Sequence, residues 1–191
     1  AINRELLGDR HYEVGVSASE LGLTKIALGK FSEAEPLFHE AETIFRGLLP
    51  EAEEDLAGVL NNLGTLSNTK GDYAAGERQF RELVEMARKV LPVGSATLGV
   101  PIKNLAVSLY RQGKYEEAEP LLRESLHILE NAFPGGHWML ASVQSGLGGC
   151  LTSLKKYPEA ERLLLRANDY FNGEPMHDKK YLREAQQGLV G

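Results

Sequence analysis

Cysteine is nearly absent: Cys150 stands alone in 191 residues, so no internal disulfide can form and nothing points to secretion. Apolar runs extend over only a few residues, far short of the roughly 20 needed to cross a bilayer, so no membrane is expected. Positive charge is the minority: 21 Lys and Arg face 27 Asp and Glu, a net charge of −6. That balance argues against a broad nucleic-acid footprint. No targeting segment is visible, because Arg4, Glu5, Asp9 and Arg10 charge the N-terminal stretch. With the free thiol, this predicts cytoplasmic residence.

Catalytic constellations are missing as well. His11, His39, His127, His137 and His177 are scattered, and no His-Glu-x-x-His occurs, so neither metal nor cofactor is expected. Cys150 lies in the apolar run Gly149-Cys150-Leu151, which reads as a buried, inert thiol. Gly146-Leu147-Gly148-Gly149 lacks the preceding strand and the Lys-Ser/Thr ending of a phosphate loop. Without convergent acid, base and nucleophile, the chain is not expected to be an enzyme. The composition is otherwise that of an ordinary globular protein, 42% hydrophobic and 25% charged.

What is present is a repeat. Phe31, Tyr73, Tyr115 and Tyr157 are spaced 42 residues apart. Leu21, Leu63, Leu105 and Leu147 keep the same period, each followed by a small residue: Gly22, Gly64, Ala106, Gly148. Ala34, Gly76, Ala118 and Ala160 form a second small column, each followed by glutamate. Large residues recur at Phe38, Phe80, Leu122 and Leu164, and prolines at Pro50, Pro92 and Pro134. Agreement of so many columns at one period, without a gap, marks stacked repeat units.

Each unit reads as two helices; in the third they span about 94–112 and 115–132, by hydrophobic periodicity. Gly113 between them suits a left-handed turn, and Gly29 and Gly71 hold the same slot. Lys155 replaces glycine in the fourth unit, which predicts a looser turn there. The recurring prolines stop each second helix. Ala118, Leu121, Leu122 and Ser125 follow the spacing of one buried face. The small columns predict close helix crossings, and the aromatics at the turns are expected to fill the wedge between neighbouring units. Pro101 is harmless if its helix starts near 98, and marks a kink otherwise. Glu51, Glu53 and Glu54 suit a helix start through the helix dipole. Glycines inside a helix cost about 1 kcal/mol each relative to alanine, so the fourth unit is expected to be the least stable.

These columns resemble the tetratricopeptide repeat, in the 42-residue form of kinesin light chains. Leu-Asn-Asn-Leu-Gly at 60–64 and Gln-Gly-Lys-Tyr-Glu-Glu-Ala-Glu-Pro-Leu at 112–121 are especially similar to that form. The resemblance implies an all-α fold, a right-handed α-solenoid of stacked antiparallel helix hairpins, over 1–191. Residues 1–8 read as the end of a preceding repeat. Repeats one to four occupy 9–50, 51–92, 93–134 and 135–175, and 176–191 read as the start of a further repeat or a capping helix. The simplest reading of both ends is a piece of a longer array; degenerate caps are the alternative.

In such a stack the first helices line a concave groove, the usual binding surface. Carried onto this chain, the peptide-binding candidates are Asn61, Asn62, Thr65 and Asn68 in the second unit, Lys103, Asn104, Val107, Tyr110 and Arg111 in the third, and Ser145 in the fourth. An asparagine amide both donates and accepts, so Asn62 and Asn104, one repeat apart, suit a clamp on an extended peptide backbone. Solvated helix residues are the plain alternative. Lys103 and Arg111 suit an acidic group, Arg in two-pronged fashion. Tyr110 offers a flat surface with a polar tip, or packs between repeats. The carboxylate clamp of chaperone-binding members carries over to Ser19, Leu23, Asn62, Val100 and Asn104, of which only Asn62 fits. A chaperone-tail receptor is therefore disfavoured. An internal peptide with a hydrophobic end, against Leu23 and Ile26, and an acidic part fits better.

The leading functional reading is a protein-interaction scaffold binding an extended peptide segment of a partner protein in the groove. A second is a regulatory or sensory segment of a larger bacterial signalling protein such as a serine/threonine kinase, to whose repeats His137-Trp138 is similar. A third is self-assembly, a homo-oligomer formed through exposed solenoid ends.

Overall fold

Helix boundaries fall where the glycine and proline punctuation puts them. The computed structural model describes Gly8 and residues 11–173, and these form eight α-helices with no strand. The segments read as the end of a preceding repeat and the start of a further one lie outside the described residues, Gly8 apart. The chain divides into two compact units, 1–89 and 90–191. The first contains α1 (Tyr12–Ala27), α2 (Phe31–Arg46), α3 (Glu53–Lys70) and α4 (Tyr73–Val90), whose final residue opens the second unit. The second contains α5 (Ala96–Arg111), α6 (Tyr115–Ala132), α7 (Trp138–Ser153) and α8 (Tyr157–Gly173). The fold is an all-α solenoid of helix hairpins: α1/α2, α3/α4, α5/α6 and α7/α8.

All four hairpin turns have one geometry. Gly29, Gly71 and Gly113 take φ of 71°, 84° and 78°. Each donates its N–H three residues back, and the next residue reaches five back, as in Gly113 to Tyr110 and Lys114 to Leu109. These bonds satisfy carbonyls left open at a helix end. The looser fourth turn expected from the sequence is not found. Lys155 adopts φ 61°, donates to the Thr152 carbonyl at 3.0 Å, and Lys156 donates to Leu151 at 2.8 Å. Packing of the flanking helices holds a lysine where glycine is at ease. Left-handed backbone costs a residue with a Cβ roughly 1–2 kcal/mol, partly offset by glycine's larger entropy loss on folding. Lys155→Gly is therefore expected to raise stability by about 0.5–1 kcal/mol, read as a higher urea midpoint at unchanged m-value.

The small columns do meet the large ones. A Cβ on Gly22 would lie 2.7 Å from the Phe38 ring, and one on Gly64 2.7 Å from Phe80. On Gly148 it would lie 2.6 Å from Leu164 Cγ. The third hairpin carries Ala106 and Leu122 at these positions, both buried. Alanine with leucine thus replaces the glycine–phenylalanine pair of the first two hairpins, while the fourth sets glycine against leucine. A second such crossing sets Gly15 against Phe45 and Gly99 against Leu129. Leu63, Leu105 and Leu147 are buried, whereas Leu21 is 46% exposed. α3 packs on α2 and α7 on α6, while no described helix precedes α1.

Three local expectations need correction. The turn aromatics fill no common wedge: Tyr73 and Tyr115 are half-buried, but Phe31 is exposed and Tyr157 is 58% exposed. Each opens its second helix at the rim of the turn, where a ring can lie across the outer edge; Tyr115 instead leans on Tyr110 of its own hairpin. Leu121 is half-buried rather than buried, at the margin of a face held by Ala118, Leu122 and Ser125. The Ser125 hydroxyl is satisfied by the Gly99 carbonyl at 2.6 Å. Finally, the third unit's first helix starts at Ala96, not near 98, so Pro101 stands inside it as the sixth residue. Pro36 and Pro120 hold the same sixth place in α2 and α6. Each removes one amide from the ladder near the start of its helix, where the helix is least cooperative.

Candidate protein-binding site

In the first unit the two first helices touch, α1 against α3. The Tyr12 hydroxyl fastens them by donating to the Asp55 carboxylate at 3.0 Å, and that carboxylate pushes the phenol's pKa up. Asn61, Asn62 and Asn68 are half-buried and Thr65 is exposed. The Thr65 hydroxyl donates to the Asn61 carbonyl at 2.8 Å, so it is already occupied within its helix. Asn68 is also engaged. Gly58 leaves open space on this face, and Leu23 is exposed nearby in the repeat pattern, on α1.

In the second unit α5 touches α7. Lys103, Asn104, Val107, Tyr110 and Arg111 are all half-buried. Their spacing of one, three, three and one residues keeps them on one side of α5. The Tyr110 ring packs against Tyr115 at 5.4 Å, and its hydroxyl lies 3.6 Å from where a Cβ on Gly149 would stand. The bare backbone of α7 at Gly149 thus forms the floor beside Tyr110. No hydrogen bond or ion pair with another described residue engages the side chains of Asn104 or Arg111.

Ser145 does not join this face. It is only 8% exposed, and Gln144 beside it is buried too. The reason is that α7 is flanked by α5, α6 and α8, and its small side chains let those neighbours close over it. Asn62 belongs to the first unit and Asn104 to the second.

Charge is segregated within the second unit. α5 and α7 contain no aspartate or glutamate, and their cations are Lys103 and Arg111. Every carboxylate between residues 90 and 173 lies on α6 or α8. In the first unit, by contrast, α1 carries Glu13 and Glu20, and α3 opens on Glu53, Glu54 and Asp55.

The second helices carry an ion-pair pattern that periodicity did not reveal. Arg46 grips Glu82 with both terminal nitrogens at 2.6 and 2.8 Å while also bonding Glu42 one turn earlier. Arg123 does the same with Glu159, at 2.7 and 2.9 Å, and with Glu119. The two triads share one rule: an arginine, a glutamate four residues before it, a glutamate 36 residues after it. They sit at different repeat phases, shifted by seven residues, which is two helical turns and so the same side of the helix. Lys156 adds to Glu119 at 2.7 Å, and Lys70 pairs with Glu35 at 2.6 Å. Arg46 lowers the pKa of Glu82, Lys156 and then Arg123 that of Glu119, and Arg123 that of Glu159. Such partly exposed pairs contribute about 0–1 kcal/mol each, fastening neighbouring second helices more than setting stability.

Cys150 is buried, its thiol directed at the Tyr115 carbonyl at 3.4 Å, and burial pushes its pKa up to about 11. It stays protonated and unreactive at neutral pH. Among the described residues, no group of three or more His, Cys, Asp or Glu could hold a metal ion. No described helix is long and apolar enough to cross a membrane.

The sequence model of the tetratricopeptide repeat family matches residues 55–131 and again 95–172. The chain belongs to the tetratricopeptide repeat family. These repeats form protein-interaction scaffolds, so the chain is a protein-interaction repeat module at that level of description. Solved structures agree on the fold. BtubC (BKLC) from P. vanneervenii superposes with a TM-score of 0.77 at 20% identity, covering 91% of this chain and 71% of that one. The nearly identical TPR-like repeats assigned to a kinesin light chain of Podosopora anserina give 0.74 at 20% identity, covering 88% of this chain and 80% of that one. The apo form of RapI gives 0.77 at 14% identity, covering 95% of this chain and 48% of RapI. No curated protein sequence matches this chain. The tetratricopeptide repeats here therefore follow the kinesin-light-chain-like form in architecture.

Proposed function

We propose that this tetratricopeptide repeat module binds an extended, acidic segment of a partner protein along the α5 face of its second unit. The observation that carries the reading is the charge segregation: a chain of net charge −6 keeps α5 and α7 free of carboxylates and sets Lys103 and Arg111 there. Arg111 would take a partner carboxylate in two-pronged fashion. Asn104 would pair with the partner's backbone, donating and accepting at once. Val107 and Tyr110 would supply apolar contact. Asn61, Asn62, Thr65 and Asn68 of the first unit form a separate, amide-rich face for an extended chain, with Leu23 and Ile26 as its apolar side.

The test is fluorescence anisotropy with short labelled peptides graded from neutral to acidic, against the intact chain and a Lys103→Glu/Arg111→Glu variant checked for helicity. Acidic peptides are expected to bind in preference, to weaken as salt screens the charges, and to lose about tenfold or more in affinity on charge reversal. Equal binding of neutral and acidic peptides, or an unchanged affinity in the variant, would remove the proposal.

A further inference from the structure

Two histidines outside the candidate site stand at the same repeat phase. His11 and His137 each precede the first residue of a helix, α1 and α7. In both, the ring Nδ1 accepts a backbone N–H two residues on: Glu13 to His11 at 3.2 Å and Met139 to His137 at 3.2 Å. The other first helices, α3 and α5, are preceded by Ala52 and Ser95, neither of which makes a side-chain cap bond.

An N-cap works by presenting an acceptor to an amide that the helix leaves unpaired. Imidazole accepts at Nδ1 only while that nitrogen carries no proton. Protonation turns the acceptor into a donor facing a donor. It also sets a cation at the positive end of the helix. Serine or asparagine in the same slot would keep its acceptor at any physiological pH.

His137 is the better placed of the two. Its ring is half-buried and stacked on Phe133, centroids 4.4 Å apart, and it lies 5.6 Å from Trp138, the chain's one tryptophan. From α8, Tyr170 faces this turn, 3.7 Å from where a Cβ on Gly136 would stand. α7 has no charged residue, and on α6 the nearest charge in sequence is Glu130. Among the described residues no charged side chain is paired with the His137 ring.

We infer that His137 is a proton-operated cap: taking up a proton releases the first turn of α7, at Trp138 and Met139, while the rest of the hairpin stays closed. Among side chains, imidazole is the one that ordinarily changes charge between about pH 5 and 8. The device does not depend on the binding proposal.

The experiment titrates the intact chain and His137→Asn from neutral to acid. It follows the Trp138 emission maximum and, by mass spectrometry, amide exchange over 138–143 corrected for the intrinsic rate. The wavelength is used rather than the intensity because an imidazolium can quench indole directly. In the parent chain the maximum is expected to move to the red by a few nanometres and exchange to rise several-fold, with far-UV circular dichroism nearly constant. In His137→Asn both readings are expected to stay flat. An acid response that persists in the variant, or exchange in the parent that does not respond to pH, would overturn the inference. His137→Ser serves the same purpose should the asparagine variant lose helicity.

Discussion

Phe80→Ala is expected to cost about 3–5 kcal/mol. The ring is fully buried and lies over Gly64, where even a Cβ would come within 2.7 Å of it. Removing it leaves a cavity that cannot refill, because the glycine opposite has no side chain to advance. The third hairpin supplies the complementary experiment, since it carries alanine and leucine at this crossing. Gly64→Ala alone forces the Phe80 ring aside and is expected to lose about 1–3 kcal/mol, less whatever alanine returns in helix propensity. Gly64→Ala/Phe80→Leu copies the third hairpin and is expected to recover a good part of that loss. A double-mutant cycle by urea unfolding measures the coupling. A sum of single effects with no coupling would mean that the two columns do not act as one crossing.

Gly148→Val carries the second large effect. A Cβ at this point in α7 would stand 2.6 Å from Leu164 Cγ and 3.3 Å from the Ala160 carbonyl oxygen. Leu164 can turn away in part, but the α8 backbone cannot. Valine adds two methyl groups to that conflict, so a loss of about 3 kcal/mol is expected, at the upper end of overpacking costs. Gly58 provides the control. It is also a helical glycine, on α3, but nothing lies within 4 Å of its Cβ position. Gly58→Ala is expected to gain about 0.5–1 kcal/mol from helix propensity. Opposite signs at two helical glycines, read from thermal or urea midpoints, would separate packing from propensity. Equal signs would contradict the close α7–α8 crossing.

The hairpin architecture was legible because the code for it is local and repeated. Glycine at 29, 71 and 113 ends each first helix for one steric reason, and proline at 50, 92 and 134 blocks continuation for another. The small columns identified the close helix crossings, because only a small side chain lets two helices approach; that Phe38, Phe80 and Leu164 fill those gaps was visible only in the structure. Lys155, from which a looser turn was expected, misled for the opposite reason. A left-handed lysine violates local preference, and only the packing of α7 on α8 holds it in a closed turn.

The candidate site was legible in part. The repeat phase placed Lys103, Asn104, Val107, Tyr110 and Arg111 on one half-buried side of α5. It also placed Ser145 there, and failed, because phase gives a direction from the helix axis and not the distance to the next helix. α7 lies among three neighbours with glycine and serine on its surface, and burial followed. The arginine triads escaped notice because their partners are 36 residues apart, a separation set by the offset between adjacent second helices and not by the 42-residue period.

By itself the sequence determined the helix-hairpin repeat, the turn sites, the positions of the small and large columns and the charge of each helix, since all of these rest on chemistry within one chain segment or on exact periodicity. Only the tertiary structure decided which small residues are buried, which carboxylate each arginine grips, that Lys155 completes a regular turn and that histidine rings cap α1 and α7. Those outcomes depend on distances between segments, which close packing fixes to fractions of an ångström and which no single segment encodes.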